Sequence, residues 1–147
     1  MPRFCSLIVL LALTPPAFAA DWPQWLGPHR DGSTVEKVSP WKGDLKVSWH
    51  QPVGEGHSSP VVADGLVYLH SCQAAKQLEV VECFEAATGK PVWRQEYNRG
   101  PFTGLFGSGP RATPAVVGGK VYTYGATGIL SCLDAKSGSK IWQLETR

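Results

Sequence analysis

Beyond residue 20 the apolar residues fall in short runs closed by turn-forming residues, and none repeats with the period of a helix. These runs predict eight strands. Pro60–Val62 ends at an Asp64–Gly65 turn and leads into Leu66–Ser71 and then Leu78–Phe84. A hairpin at Glu85–Gly89 follows, where the acidic side chain caps the turn and Gly89 supplies a positive φ, and the chain returns as Lys90–Gln95. A second set is predicted at Thr113–Val117, Lys120–Tyr124, Ile129–Leu133 and Lys140–Leu144. Doublets such as Val61–Val62 and Val80–Val81 place apolar side chains on both faces. A sheet packed between two neighbours requires that.

The two sets are copies of one unit. Ser59–Tyr68 reappears as Thr113–Tyr122, 54 residues on, and Cys83–Trp93 reappears as Cys132–Trp142, 49 residues on. The first copy therefore carries an insertion, which falls between Cys72 and Leu78. A third echo, Leu45–Trp49, reads as the outer strand of a unit whose beginning is missing. Four-stranded units repeating at about 40–50 residues and closing on Trp describe the blades of a β-propeller. The expected fold is thus all-β, with about two complete four-stranded antiparallel blades, at approximately 57–97 and 111–145. Propellers close with about four to eight blades, so this reading makes the chain the N-terminal part of a longer protein or a truncated gene product.

The N-terminus is organised differently. Arg3 precedes an apolar run at Phe4–Leu13, then Thr14, Pro15 and Pro16, then Ala17–Phe18–Ala19. That is the layout of a secretory signal peptide cut after Ala19. The run is half the length of about 20 residues that a spanning helix needs, and no later segment is long and apolar enough to span. The expected organisation is a signal peptide at 1–19, an N-terminal segment at 20–44 and a partial propeller at 45–147. The expected location is secreted, periplasmic or cell-envelope. Of 147 residues, 43% are hydrophobic and 18% charged, which excludes a disordered chain. The net charge is +2 with no Lys or Arg run, so nucleic acid is not an expected partner.

The stretches Cys83–Trp93 and Cys132–Trp142 resemble the tryptophan-docking motif of pyrroloquinoline-quinone (PQQ) repeat propellers, A-x-D-x-x-T-G-K-x-x-W. Cys holds the Ala position in both copies, Glu85 replaces Asp in the first, and Ser137 and Ser139 stand for Thr and Lys in the second. Asp21–Gly32 and Gly109–Pro114 also resemble an exported bacterial subgroup of these proteins. The resemblance implies docking roles for Trp49, Trp93, Trp142, Gly89, Gly138 and Asp134.

Two residues immediately precede innermost strands. His57 in Gly56–Pro60 aligns with Arg111 in Pro110–Pro114. Such positions cluster at the mouth of a propeller channel, where a ring of polar side chains can bind an anion, and where the same side chains can instead fix the loops. His57 and Arg111 are the candidate cofactor-binding residues. The Gly-rich Tyr97–Gly109 connection carries Phe102 and Phe106 and is placed to lid the mouth or cover a blade edge. Trp22 and Trp25 are expected to dock the segment holding His29 and Arg30. His50 and His70 read as isolated, so no metal site and no catalytic residue is expected.

The resemblance leaves three functions open. The first is a non-catalytic binding or scaffolding module, similar to outer-membrane assembly propellers, with a protein or envelope component, missing blades or a second copy as partner. The second is a fragment of a PQQ-dependent alcohol or sugar dehydrogenase. Such enzymes stack PQQ between a Trp and a disulfide of adjacent cysteines and bind Ca²⁺ nearby, and this chain has no adjacent Cys pair, so no cofactor is expected for it alone. The third is a carbohydrate-binding module using surface Trp. The cysteines Cys72, Cys83 and Cys132 are expected to be unpaired, with Cys72 opposite the start of the third strand and away from Cys83.

Overall fold

The computed structural model describes residues 20–147, and the expected signal segment 1–19 lies outside the described residues. Two four-stranded antiparallel sheets follow one another along the chain. The first is β1 (Val61–Ala63), β2 (Leu66–Gln73), β3 (Leu78–Glu85) and β4 (Pro91–Asn98). The second is β5 (Ala115–Val117), β6 (Lys120–Tyr124), β7 (Ile129–Asp134) and β8 (Lys140–Glu145). Strand order equals chain order in both, as in propeller blades. The chain is an all-β propeller segment.

The turns explain why both copies fold alike. Asp64 and Gly65 have φ of 52° and 73°, and Gly118 and Gly119 have 57° and 70°. Two consecutive left-handed residues form the tight turn whose twist matches the flanking strands. A bulge then breaks the third-to-fourth strand pairing at the same point in each blade, Cys83/Phe84 and Cys132/Leu133. Beyond it the hairpins close identically. Glu85 N–H reaches Lys90 and Gly89 N–H reaches Glu85, while Asp134 N–H reaches Ser139 and Gly138 N–H reaches Asp134, all at 2.8–2.9 Å. The insertion lengthens one hairpin. It adds the pairs Cys72–Glu79 and Gln73–Leu78 and a single 3-10 turn at Ala74–Lys76, with Gln77 left-handed at φ 57°.

Val61, Ala63, Tyr68, Val81 and Cys83 of the first blade meet Val121, Leu133 and Ala135 of the second in one buried cluster. Trp93 packs against that cluster, and its indole N–H donates to Ala135 O at 2.8 Å. Its ring lies where a Cβ on Gly138 would stand, 2.5 Å away. Tyr68 Oη donates to the same carbonyl at 3.3 Å. The first blade receives the same contact from upstream. Trp49 donates to Ala86 O at 2.8 Å and lies 2.5 Å from a Cβ placed on Gly89, while Gln51 Nε2 donates to Gly89 O. Trp142 packs on Tyr122 and remains 42% exposed, with no hairpin laid over it among the described residues.

Leu45–Trp49 forms no strand among the described residues, which offer no neighbour for its ladder hydrogen bonds; only Trp49 and Gln51 engage. One expectation is corrected. The N-terminal segment is held by backbone rather than by paired indoles. Trp22 exchanges hydrogen bonds of 2.8 and 3.0 Å with Val62, and Pro23 O accepts from Val116 N–H at 2.8 Å, so the segment crosses the inner strands of both blades. Trp22 packs on Gly27 within its own turn, and Trp25 is exposed.

Cys72, Cys83 and Cys132 are free and buried, and Cys72 pairs across the ladder with Glu79. Burial pushes the Cys83 thiol up to about 12 and raises that of Cys72. A thiol reagent should therefore react slowly with the native protein and titrate these three only after denaturation. Gly138→Ala should destabilise by about 2–4 kcal/mol, combining left-handed strain with displacement of Trp93. Gly118→Ala meets nothing within 4 Å and should show the strain alone, about 1–2 kcal/mol. Trp93→Phe should lose about 1 kcal/mol with the Ala135 hydrogen bond. Urea midpoints rank the three variants.

Candidate functional site

The connections that enter β1 and β5 lie side by side. His57 N–H donates to Pro110 O at 2.9 Å, and Ser59 N–H donates to Thr113 Oγ1 at 3.0 Å. A Cβ on Gly109 would stand 2.4 Å from Gly56 Cα, so the two loops touch through glycine. Their aligned side chains converge on a third element, the connection after β4. The His57 ring hydrogen-bonds Phe106 O, and Arg111 donates to Gly109 O at 3.0 Å and Gly107 O at 3.2 Å. Phe102 in the same connection faces two guanidinium groups, Arg99 at 5.6 Å and Arg111 at 5.7 Å. Cations near an aromatic face are attracted by its quadrupole, which ties the ring to both side chains.

This arrangement leaves an open cavity of about 320 Å³ lined by Phe102, Arg111, Ala112, Tyr124, Ala126 and Arg147. Its wall is mainly apolar, and its charged side chains are the guanidinium groups of Arg111 and Arg147. No Asp, Glu, Cys or His side chain lines it. It can accept an apolar or anionic group. The loop above it carries Leu105 and Phe106 into solvent, 97% and 79% exposed.

A second polar assembly sits behind the cavity. Glu79, fully buried on β3, accepts from Tyr97 Oη at 2.5 Å and from Ala126 N–H at 2.7 Å, and lies 3.6 Å from His70 Nε2. Tyr97 Oη also meets His70 at 3.2 Å. His70 is thus not isolated, which corrects the sequence reading. Its partner comes from the neighbouring strand, on the same face of the hairpin lengthened by the insertion. Because Ala126 belongs to the β6–β7 turn, the carboxylate joins the blades, and Gly125 leaves room for it, since a Cβ there would stand 2.1 Å from Oε2. Burial pushes this carboxyl up, but the His70, Tyr97 and Ala126 hydrogen bonds outweigh it and hold it below its ordinary value. The only signal for this in sequence is a Glu inside a strand of Val residues.

The remaining candidates lie apart. His29 and His50 are exposed, and Arg30 bonds Gln24. Asp134 accepts from the Lys136 and Ser137 amides and the Ser137 hydroxyl, which lowers its carboxyl pKa. In the first blade the longer Glu85 reaches only Thr88 Oγ1.

A family profile described as outer membrane protein assembly factor BamB matches residues 33–147. The chain belongs to this family. Among solved structures, the quinohemoprotein alcohol dehydrogenase of Comamonas testosteroni superposes with a TM-score of 0.58 at 26% identity, covering 86% of this chain and 19% of that one. A europium-containing methanol dehydrogenase superposes at 0.50 with 20% identity, covering 71% and 18%. BamB from Moraxella catarrhalis aligns over 56% of this chain and 21% of its own, with a TM-score of 0.41 and 21% identity. The chain spans about a fifth of each of these structures. No curated protein matches it. No helix among the described residues is long and apolar enough to cross a membrane.

Glu79→Gln should lower stability by about 1–2 kcal/mol at neutral pH, since buried donors lose a charged acceptor. A carboxyl whose folded pKa lies below its unfolded 4.5 contributes fully above about 4.5 and loses the contribution as pH falls through the folded value. The variant should therefore differ from wild type at about pH 7 and converge on it as the pH falls through the folded-state value, read from urea midpoints.

Proposed function

We propose that this chain acts as a non-catalytic binding or scaffolding element of an exported PQQ-like propeller, with envelope protein as its partner. One observation carries the reading. His57 and Arg111, the polar side chains at the inner-strand entrances, are committed to backbone carbonyls of one loop, and that loop presents Leu105 and Phe106 outward. An exposed aromatic and aliphatic pair on a braced backbone is the usual form of a protein-binding anchor, because little ordering entropy opposes its burial. The family description, an outer membrane protein assembly factor, names the same kind of role.

The likeness to the Comamonas quinohemoprotein dehydrogenase favours a second reading, a dehydrogenase segment. The residues at the cavity do not fit PQQ with Ca²⁺. Two guanidinium groups suit carboxylates, but no Asp or Glu side chain lines the cavity to hold a hard cation.

A photo-crosslinking residue at position 105, in cells exporting the chain, should yield adducts with outer-membrane assembly proteins. Phe106→Ser and Arg111→Ala should each reduce them at least about fivefold, a typical loss for one interface anchor. Equilibrium titration with PQQ and Ca²⁺ should show no binding. Micromolar PQQ binding with dye-coupled alcohol oxidation that disappears in Arg111→Ala would replace this reading by the dehydrogenase.

A further inference from the structure

A second cavity, of about 230 Å³, opens where the end of β4 meets the β6–β7 turn. Its polar walls are Asn98, Arg99, Thr127, Glu145 and Arg147. Arg99 is only 5% exposed. Its backbone is anchored by N–H to Gln77 O at 3.0 Å, and its Nη1 donates to Ser108 O. Its Nε is buried without any partner, and so is the hydroxyl of Thr127. No ion pair joins Arg99 among the described residues, where the guanidinium–carboxylate pairs are Arg94–Glu82 and Arg94–Glu96.

A buried charge without a counter-charge is expensive, and most buried bases escape by losing a proton. Arginine does not, since its guanidinium stays protonated throughout the accessible pH range. The Phe102 face 5.6 Å away offsets part of the cost, but a ring quadrupole is a weak substitute for an anion. Glu79, the fully buried carboxylate nearby in the fold, is already shared among His70, Tyr97 and Ala126. Among the side chains, every other polar wall except Glu145 supplies a donor. Asn98 Oδ1 accepts from Gly100 N–H at 2.7 Å, which leaves its amide hydrogens free, and Arg147 adds a second guanidinium.

We propose that this cavity binds a compact oxyanion, a phosphate or carboxylate group, held by Arg99 with Thr127, Asn98 and Arg147. The space is several times the roughly 30 Å³ share of one water molecule, enough for such a group with water around it. Glu145 is exposed on β8 and carries the same sign as the ligand, so it opposes binding and favours a singly charged anion. Phosphate and carboxylate share the chemistry that Arg99 recognises; bidentate guanidinium pairing serves both.

The test is calorimetric titration of the full chain with sodium phosphate and, separately, sodium acetate, at fixed ionic strength made up with chloride. Saturable binding of either anion in the millimolar range or tighter is expected, and the anion that binds more tightly identifies the chemistry. Thr127→Val, a near-isosteric change, should weaken it about threefold to tenfold, and Arg99→Gln should abolish it. Glu145→Gln should tighten it severalfold. Absence of saturable binding by either anion up to about 20 mM, in both wild type and Glu145→Gln, overturns the proposal and makes Glu145 the intramolecular counter-charge. Undiminished binding in both Arg99→Gln and Thr127→Val also overturns it, by placing the anion elsewhere. If Arg99→Gln does not fold, the Thr127→Val titration decides alone.

Discussion

Everything in this fold depends on one contact, an indole laid flat on a glycine of the next hairpin. Trp49 on Gly89 and Trp93 on Gly138 are the same interaction repeated at the spacing of the blades. Each supplies apolar burial and one hydrogen bond, to Ala86 O and Ala135 O. The glycine is required twice over. Its φ is near +70° in both hairpins, and a Cβ would occupy the indole's position. Together with the shared buried cluster and the Glu79–Ala126 hydrogen bond, the contact fixes how the two sheets meet and so where the loops at the blade ends go.

The loops inherit that geometry. Because the blades are placed by the tryptophans, the entrances to β1 and β5 come into glycine-to-glycine contact, and His57 and Arg111 reach the same backbone segment. The long connection after β4 is therefore braced at several carbonyls while its tip remains free in water. The result is a base held rigid by backbone hydrogen bonds and a tip that presents apolar side chains to water.

Two buried charges take different routes to compensation. Glu79 gathers donors from its own hairpin and from the next blade, so its ionised form is favoured despite burial. Arg99, on the adjacent strand end, has a carbonyl, a ring face and no carboxylate. The first is a pin between blades. The second leaves an unsatisfied positive field at a cavity, and an unsatisfied field of that kind is where a ligand belongs.

The blade itself was legible in the sequence because its determinants are local. Asp64–Gly65 and Gly118–Gly119 specify tight turns, the apolar doublets specify sheets covered on both faces, and the repeated hairpin with its Trp specifies the unit. Strand limits read from the sequence differ from the structure by up to three residues, chiefly in β4 and β2, because the insertion extends a hairpin instead of forming a loop. Leu45–Trp49 read as a strand from its pattern, yet a strand exists only where another backbone completes its ladder. The pairing of Glu79 with His70 and the Ala126 amide, the brace of His57 and Arg111 on one loop, and the isolation of Arg99 were not legible. Each joins residues separated by a turn, a long connection or a blade boundary. Their distances follow from how two sheets pack, which no local pattern of residues encodes.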